Sequence, residues 1–168
     1  MKSLARLFAA VLLAISFNAS ARAENAVTQS RPTLTLDGAR RLAAAAEDEA
    51  RRLGAPSGAM AVVDEGGALL FLERLDNTFP AAAIVAAEKA RTAAQFRRPT
   101  SAFEDAIKGG RLALLGVSVM LPLQGGVPVL VNGQVVGAIG VSGAANAQQD
   151  DEIAKAAAAA WDKLIADR

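Results

Sequence analysis

The chain has 168 residues, 52% of them hydrophobic and 21% charged, with a formal net charge of +1, which is typical of one globular domain. It contains no His, no Cys and no Tyr. This excludes the usual zinc and iron–sulfur sites, disulfides, Ser/His and Cys/His nucleophile pairs and the commonest side-chain ligands of iron cofactors.

The first 23 residues predict a secretory signal peptide. Lys2 and Arg6 form a basic start, residues 7–17 are an apolar run, and residues 21–23 have the small-x-small pattern of a cleavage site. The run has about 11 residues, whereas a membrane-spanning helix needs about 20. We therefore expect cleavage, a periplasmic or secreted protein and no membrane insertion of the mature chain. An uncleaved N-terminal anchor is the alternative.

Removal of the signal would leave a mature chain that is slightly acidic. It would hold 15 basic and 17 acidic residues, because the first 23 residues contain three basic and no acidic ones. The basic residues are scattered and few aromatics lie between them, so nucleic-acid binding is not supported. Residues 24–32 are polar and aperiodic and predict a disordered lead-in, followed by a single domain over 33–168.

The first half of this domain predicts a helix, a hairpin and a second helix. Apolar residues recur at spacings of 3 and 4 over 36–53, which indicates an amphipathic helix that begins near Thr35 and ends before Gly54. Two apolar runs, 58–63 and 68–75, flank a turn and predict a β-hairpin. Pro80 suits the first turn of a helix over 81–96.

The second half predicts a short helix, three strands and a final helix. Ser101 and Glu104 have capping-box spacing for a helix that ends at Gly109. Apolar runs at 117–121, 127–131 and 134–141 predict strands, and Asn132-Gly133 between the last two is a strong hairpin signal. Acidic residues at 150–152 favour the start of a last helix that runs to about Ala166.

This order, α-β-β-α-α-β-β-β-α, predicts an α/β fold of the α+β type. The turns between paired strands are too short for parallel crossovers, so we expect a five-stranded antiparallel sheet. Strands 127–131 and 134–141 do not alternate with polar residues, which indicates that helices cover both faces. Alanine-rich helices bury little area per residue, and a neighbouring subunit is expected to supply more.

One face of the second predicted helix is a candidate ligand site. Lys89, Thr92 and Phe96 are spaced 3 and 4 apart and therefore share that face. A cation, a hydroxyl and an aromatic ring together can hold a flat anionic ligand. The alternative is an ordinary helix in which Lys89 extends its charge to solvent and Phe96 lies in the core.

Two other features allow a binding or a structural interpretation. Gly125-Gly126, between two prolines, can present backbone N–H groups to a flat ligand, or can form a strand-entry turn or bulge. Met60 and Met120, on predicted strands, either offer thioether ligands or fill the core.

Five segments, taken in order, resemble the GlcG/HbpS family of haem-binding proteins, to which the C-terminal domain of PduO-type cobalamin adenosyltransferases is related. The segments are 60–70, 74–76, 88–96, 122–128 and 137–143. The resemblance implies a profilin-like sandwich with an antiparallel sheet, homo-oligomers that are often octamers, and haem (tetrapyrrole) binding. For secreted members it also implies cooperation with a membrane sensor protein.

The resemblance also implies a set of ligand-binding positions. Some related domains ligate haem through a histidine, and this chain has none, so iron ligation falls to weaker groups such as Thr92, Met60 or Met120. Arg74, Lys89 or Arg97 suit the haem propionates, which accept charge-assisted hydrogen bonds. The implied ligand-binding positions are Arg74, Asp76, Lys89, Thr92, Phe96, Arg97, Gly125 and Gly126.

We therefore expect a secreted oligomeric haem-binding protein that serves sequestration or redox and haem sensing. One alternative is a small-molecule enzyme of a catabolic pathway that uses Lys89, Arg74 and Asp76. Another is a ligand-free accessory module for a membrane sensor or dehydrogenase. A desolvated Lys89 that faces a cavity favours the enzyme.

Overall fold

The computed structural model describes residues 27–166, with side chains as far as Trp161. The predicted signal peptide and residues 24–26 lie outside the described residues. Residues 27–32 are exposed and contain neither helix nor strand. From Pro32 onward the chain forms one compact unit.

This unit contains four α-helices, one short 3-10 helix and four strands within the described residues. In chain order they are α1 (Leu36–Arg52), β1 (Ala59–Asp64), β2 (Leu69–Arg74), α2 (Ala81–Phe96), α3 (Ser101–Lys108), a 3-10 helix (Leu112–Gly116), β3 (Gly126–Val131), β4 (Gln134–Ser142) and α4 (Ala147–Ala166).

The predicted N-terminal cap forms in α1 but not in α3. Thr35 caps α1 by accepting a 3.1 Å hydrogen bond from the Gly38 N–H, as its sequence position predicts. The capping box predicted for α3 is wrong. Ser101 is the first helical residue, and Glu104 accepts a hydrogen bond from the Gln124 N–H instead.

The sheet is antiparallel, as predicted, but it has four strands in the order β2-β1-β4-β3 rather than five. The strand expected over 117–121 is wrong, because this segment follows the 3-10 helix as a turn and irregular chain. Its Leu121 N–H donates to the Thr92 hydroxyl of α2 and not to a neighbouring strand. An apolar run that packs on a helix has the same composition as a buried strand.

Helices cover both faces of the sheet. Met60, Val62 and Ile139 point to the face packed by α1 and α4, in a core that includes Leu42 and Ile153. Ala61, Val63 and Ala138 point to the other face, which packs against the alanines of α2. None of the helices within residues 27–166 is long and apolar enough to span a membrane.

The contact between α2 and β4 is unusually close because β4 presents glycine there. A Cβ on Gly140 would overlap the Ala86 carbonyl oxygen of α2. The helix backbone therefore lies almost directly on the strand, and small residues on both elements make this possible. This close packing places the middle of α2 beside the strand-entry loop before β3.

Candidate functional site

A buried ion pair joins the middle of α2 to the start of α4. Lys89 is 2% exposed, and its ammonium donates 2.9 Å hydrogen bonds to the Asp150 carboxylate and to the Val141 carbonyl. The other oxygen of Asp150 accepts a 3.0 Å bond from the Ala144 N–H. Asp150 lies in the first turn of α4, where the helix dipole favours a negative charge. Lys89 thus connects both helices to the end of β4.

The Gly125-Gly126 pair lies against this ion pair. Gly125 has a φ of +114°, and a Cβ there would meet the Val141 carbonyl oxygen at 2.7 Å and the Lys89 ammonium at 3.0 Å. A Cβ on Gly126 would overlap the Lys89 carbonyl oxygen. Both glycines are buried. Within the single chain, the pair permits close approach of the strand entry to α2.

Side-chain oxygens bind the backbone N–H groups of the loop before β3. Thr92, 1% exposed, accepts a 2.9 Å bond from Leu121. The buried Thr100 hydroxyl accepts a 2.8 Å bond from Gly126, and the Asp151 carboxylate accepts a 3.2 Å bond from Gly125. These N–H groups are therefore satisfied within the chain.

Glu104 of α3 completes the network around the loop. Its carboxylate accepts a 2.8 Å bond from the Gln124 N–H and forms a 2.7 Å ion pair with Lys108. Burial alone would raise the pKa of Glu104. The effect of burial is smaller than the combined lowering by hydrogen bonds from Lys108 and Gln124 and by the positive charges of Lys108 and Lys89. The pKa of Glu104 therefore lies below its usual value of 4.5.

The predicted site residues Phe96 and Arg97 lie at the C-terminal end of α2. The Phe96 ring is 38% exposed and meets the Phe103 ring edge to face, with centroids 5.4 Å apart. Arg97 has a left-handed backbone with φ of 53° and ends the helix. Arg97 and Arg98 are both exposed and form no ion pair within residues 27–161.

Exposed apolar side chains extend from this end of α2 along the connection between α3 and β3. The connection is held to α2 by the bond to Thr92 and to α3 by the bond to Glu104. Single exposed apolar residues are ordinary, but several in one short segment indicate a binding surface. We call this set the apolar connection: it comprises Leu112, Leu115, Val119 and Leu123, which are 62%, 64%, 65% and 45% exposed.

Arg74 and Asp76 lie near the other end of α2. The hairpin turn before β2 contacts the C-terminal part of α2, where Gln95 donates to the Gly66 carbonyl. The strand β2 runs away from there to Arg74, which pairs with Ala59. Arg74 and Asp76 are both exposed. Because 16 helical residues span about 24 Å, they do not lie beside Phe96 and Arg97.

The sheet separates one of the three candidate iron ligands from the other two. Met60 is fully buried in the core between the sheet and helices α1 and α4. Thr92 lies on α2, across the sheet, and Met120 is 9% exposed in the connection next to it. The structure thus places Met120 beside Thr92 and away from Met60.

Two further features bear on ligand binding. A shallow groove of about 160 Å³ lies between the chain before α1 and the side chain of Trp161. This is smaller than the roughly 300–1,000 Å³ typical of small-molecule pockets. Within the described residues, no group of three or more acidic side chains is arranged to hold a metal ion.

Sequence reasoning missed Thr100 and the anchoring roles of Glu104, Asp150 and Asp151. The one available signal was Lys89 itself, because a lysine on an alanine-rich helix face requires a counter-ion if the face is buried. Nothing in the local sequence indicates which carboxylate supplies it, since Asp150 is 61 positions away. The predicted ligand-binding roles of the site residues stay predictions.

Comparisons with known proteins assign the chain to a family. A family model described as haem degrading protein HbpS-like matches residues 34–159. Protein GlcG of Escherichia coli K12 is 49% identical over 83 residues, which cover 49% of this chain and 62% of GlcG, less than two thirds of that relative.

Two solved structures are also similar. A double mutant of Streptomyces reticuli HbpS is 34% identical, with a TM-score of 0.72 over 82% of this chain and 92% of that one. A complex of PduOC with haem is 25% identical, with a TM-score of 0.67 over 76% of this chain and 94% of that one. The family model covers most of the folded unit. The chain belongs to the HbpS-like family.

Proposed function

We propose that this protein binds haem or a related tetrapyrrole as a homo-oligomer, after export to the periplasm or the medium. Its role would be haem sequestration or redox and haem sensing. Membership of the HbpS-like family and the similarity to a haem complex of PduOC support haem binding. The predicted signal peptide and the resemblance to secreted members support a secreted sensing role.

The structural observation that carries the proposal is the surface at the C-terminal end of α2. There an exposed ring, Phe96, is followed by two exposed arginines, Arg97 and Arg98, and the segment that carries the apolar connection is bound to Thr92, about one helical turn before Phe96. Haem has the complementary character, with a broad apolar ring and two carboxylates on one edge. Arginine binds carboxylates through paired N–H donors, and apolar side chains bury the ring.

The residues present fit haem at this surface with weak axial ligation. Bound haem would supply a redox-active iron. Arg97 and Arg98 would hold its propionates, and Met120, 9% exposed in the adjacent connection, would have to turn its thioether toward the surface to become the axial ligand. Thr92 would first have to release the Leu121 N–H, and Met60 lies in the core across the sheet. Thioether ligation without histidine predicts modest affinity.

A titration of the purified protein with hemin tests the proposal. We expect a Soret band distinct from that of free hemin and a dissociation constant on the order of micromolar. The double variant Arg97→Ala, Arg98→Ala should raise this constant about tenfold, because the propionates lose their donors. Arg40→Ala, an exposed arginine of α1, is the matched control. A spectrum identical to that of free hemin up to about 50 µM overturns the proposal.

The axial position is tested by two volume-conserving substitutions. Met120→Leu should shift the Soret band of the complex, because it removes the thioether and keeps the apolar volume. Met60→Leu should leave the spectrum unchanged, since Met60 is fully buried among core residues of β1. An unchanged spectrum in Met120→Leu would exclude the thioether as ligand and leave haem binding itself standing.

The structure favours neither of the other two functions. In the enzyme alternative, Lys89 acts with Arg74 and Asp76, but its ammonium is held by Asp150 and Val141 and the other two residues lie near the far end of α2. The accessory role for a membrane sensor or dehydrogenase stays a prediction, and affinity capture from a native envelope fraction tests it.

A further inference from the structure

The outer edge of β2 is an unpaired strand edge within residues 27–166. The strand β2 ends the sheet on one side and pairs only with β1. Leu75 donates to the Gly58 carbonyl on the β1 side, and in an antiparallel pair alternate residues turn their backbone groups outward. Leu72 and Arg74 therefore direct their N–H and C=O groups away from the sheet, where no described backbone group meets them.

This edge has few of the features that normally protect an edge strand. It contains no proline and no lysine, its two charged residues, Glu73 and Arg74, lie at its C-terminal end, and Leu69 and Leu72 are 48% and 40% exposed. One register shift, opposite Val62 and Val63, leaves the residues from Phe71 to Arg74 regularly paired. A regular apolar edge of this kind is suited to pair with another strand.

The opposite edge of the sheet is protected. The strand β3 contains Pro128, which has no N–H to donate. The Thr100 N–H donates to the Gly126 carbonyl at 2.9 Å and so covers the beginning of the strand. Only the β2 edge is therefore open to extension of the sheet within the described residues.

We infer that β2 pairs antiparallel with β2 of a second copy of this chain, about a two-fold axis at Leu72. This inference rests on the homo-oligomer of the proposed function and names one of its interfaces. In this register Leu72 faces the partner's Leu72, and Arg74 faces the partner's Leu70. The outward backbone groups then bond across the axis, and the two sheets join into one of eight strands.

The charges at the two ends of β2 favour this self-pairing. Antiparallel pairing carries each Arg74 toward the partner's acidic turn, which holds Asp64 and Glu65. Arg74 is exposed and forms no ion pair within the described residues, and the two acidic residues of the turn are partly exposed. Each copy thus offers a cation at one end of the strand and a carboxylate at the other, which is the self-complementarity that a two-fold interface requires.

The chain provides a matched pair of positions for the test. Leu72 on β2 and Leu130 on β3 are edge-strand leucines that are 40% and 46% exposed. A lysine on a strand edge opposes pairing, so Leu72→Lys should halve the mass of the wild-type oligomer in light scattering. Leu130→Lys should leave that mass unchanged. An unchanged mass in both variants overturns the inference.

A second measurement avoids any effect of the charge on folding. The chain has no cysteine, so a single introduced thiol reports one position. Leu72→Cys should form covalent dimers with a short bismaleimide, which adds one cysteine thiol to each of its two double bonds, and Leu130→Cys should not. A wild-type monomer would contradict the oligomer of the proposed function. A wild-type oligomer without crosslinking at position 72 would contradict this interface alone.

Discussion

The ammonium of Lys89 lies 2.9 Å from the carboxylate of Asp150, and both side chains are buried between α2 and α4. Because the two charges share one desolvated site, removal of either leaves the other without its counter-ion. This pair is therefore the polar contact that joins α2 to the start of α4 and to the end of β4.

Lys89→Ala should lower the free energy of unfolding by about 3–5 kcal/mol, since the Asp150 side chain would stay buried without its counter-ion. The double variant Lys89→Met, Asp150→Asn should recover part of this loss, because no charge is left unpaired. Urea denaturation measures both. Arg41→Ala, which removes an exposed ion pair with Asp37, should cost at most about 1 kcal/mol. Equal losses in Lys89→Ala and Arg41→Ala would contradict this interpretation.

Gly126→Ala should destabilise the protein by about 2–3 kcal/mol through overpacking, because the added Cβ would overlap the Lys89 carbonyl oxygen of α2. The matched control is Gly116→Ala, whose Cβ would meet nothing within 4 Å. It should change stability by no more than about 0.5 kcal/mol. Thermal unfolding of both variants gives the comparison, and a neutral Gly126→Ala would show that the loop does not pack closely on the helix.

The lowered pKa of Glu104 predicts a loss of stability in acid. The pKa of Glu104 in the folded protein lies below its value of 4.5 in the unfolded chain. The carboxylate therefore contributes fully to the free energy of unfolding above pH 4.5, and this contribution is lost as the pH falls through the folded-state pKa. The free energy of unfolding of Glu104→Gln should therefore depend less on pH below about 5 than that of the wild type. An unchanged pH dependence in Glu104→Gln would contradict this assignment.

Leu115→Lys should weaken hemin binding while leaving the unfolding midpoint nearly unchanged. Leu115 is 64% exposed within the apolar connection, so its removal takes away ligand contact and little core burial. Leu36→Lys, at a 45% exposed leucine of α1, should leave hemin affinity unchanged. A parallel titration of the two variants checks the assignment, and equal affinities would place the ligand elsewhere.

Local patterns predicted most elements of the fold. The helix expected over 36–53 occurs as Leu36–Arg52, because its capping residue and its 3-and-4 spacing are properties of one segment. The strand expected over 117–121 is wrong because the conformation of this segment depends on its tertiary contacts and not on its own residues. Its apolar residues are buried or exposed according to the helix beneath them, and a short apolar run does not specify which partner it packs against.

In the candidate site, too, the sequence predicted positions within one helix but not the partners from distant segments. The sequence placed Lys89 and Thr92 on one helix face, and the structure shows that both are buried there. It did not indicate that Asp150 would neutralise Lys89 or that Leu121 would occupy the Thr92 hydroxyl. These partners lie far away in the chain, and only the close packing of α2 on β4 brings them together.

The sequence by itself determined the order of the four helices and of the four strands that form, the antiparallel pairing, the alanine faces and the absence of histidine, cysteine and tyrosine ligands, but it added a fifth strand over 117–121. Each of these depends on residue type or on spacing within a short segment. Only the tertiary structure decided which candidate residues meet, which edge of the sheet is open and which charges are desolvated. Those properties depend on contacts between segments distant in sequence, where burial changes the free energy of a charge or a strand edge.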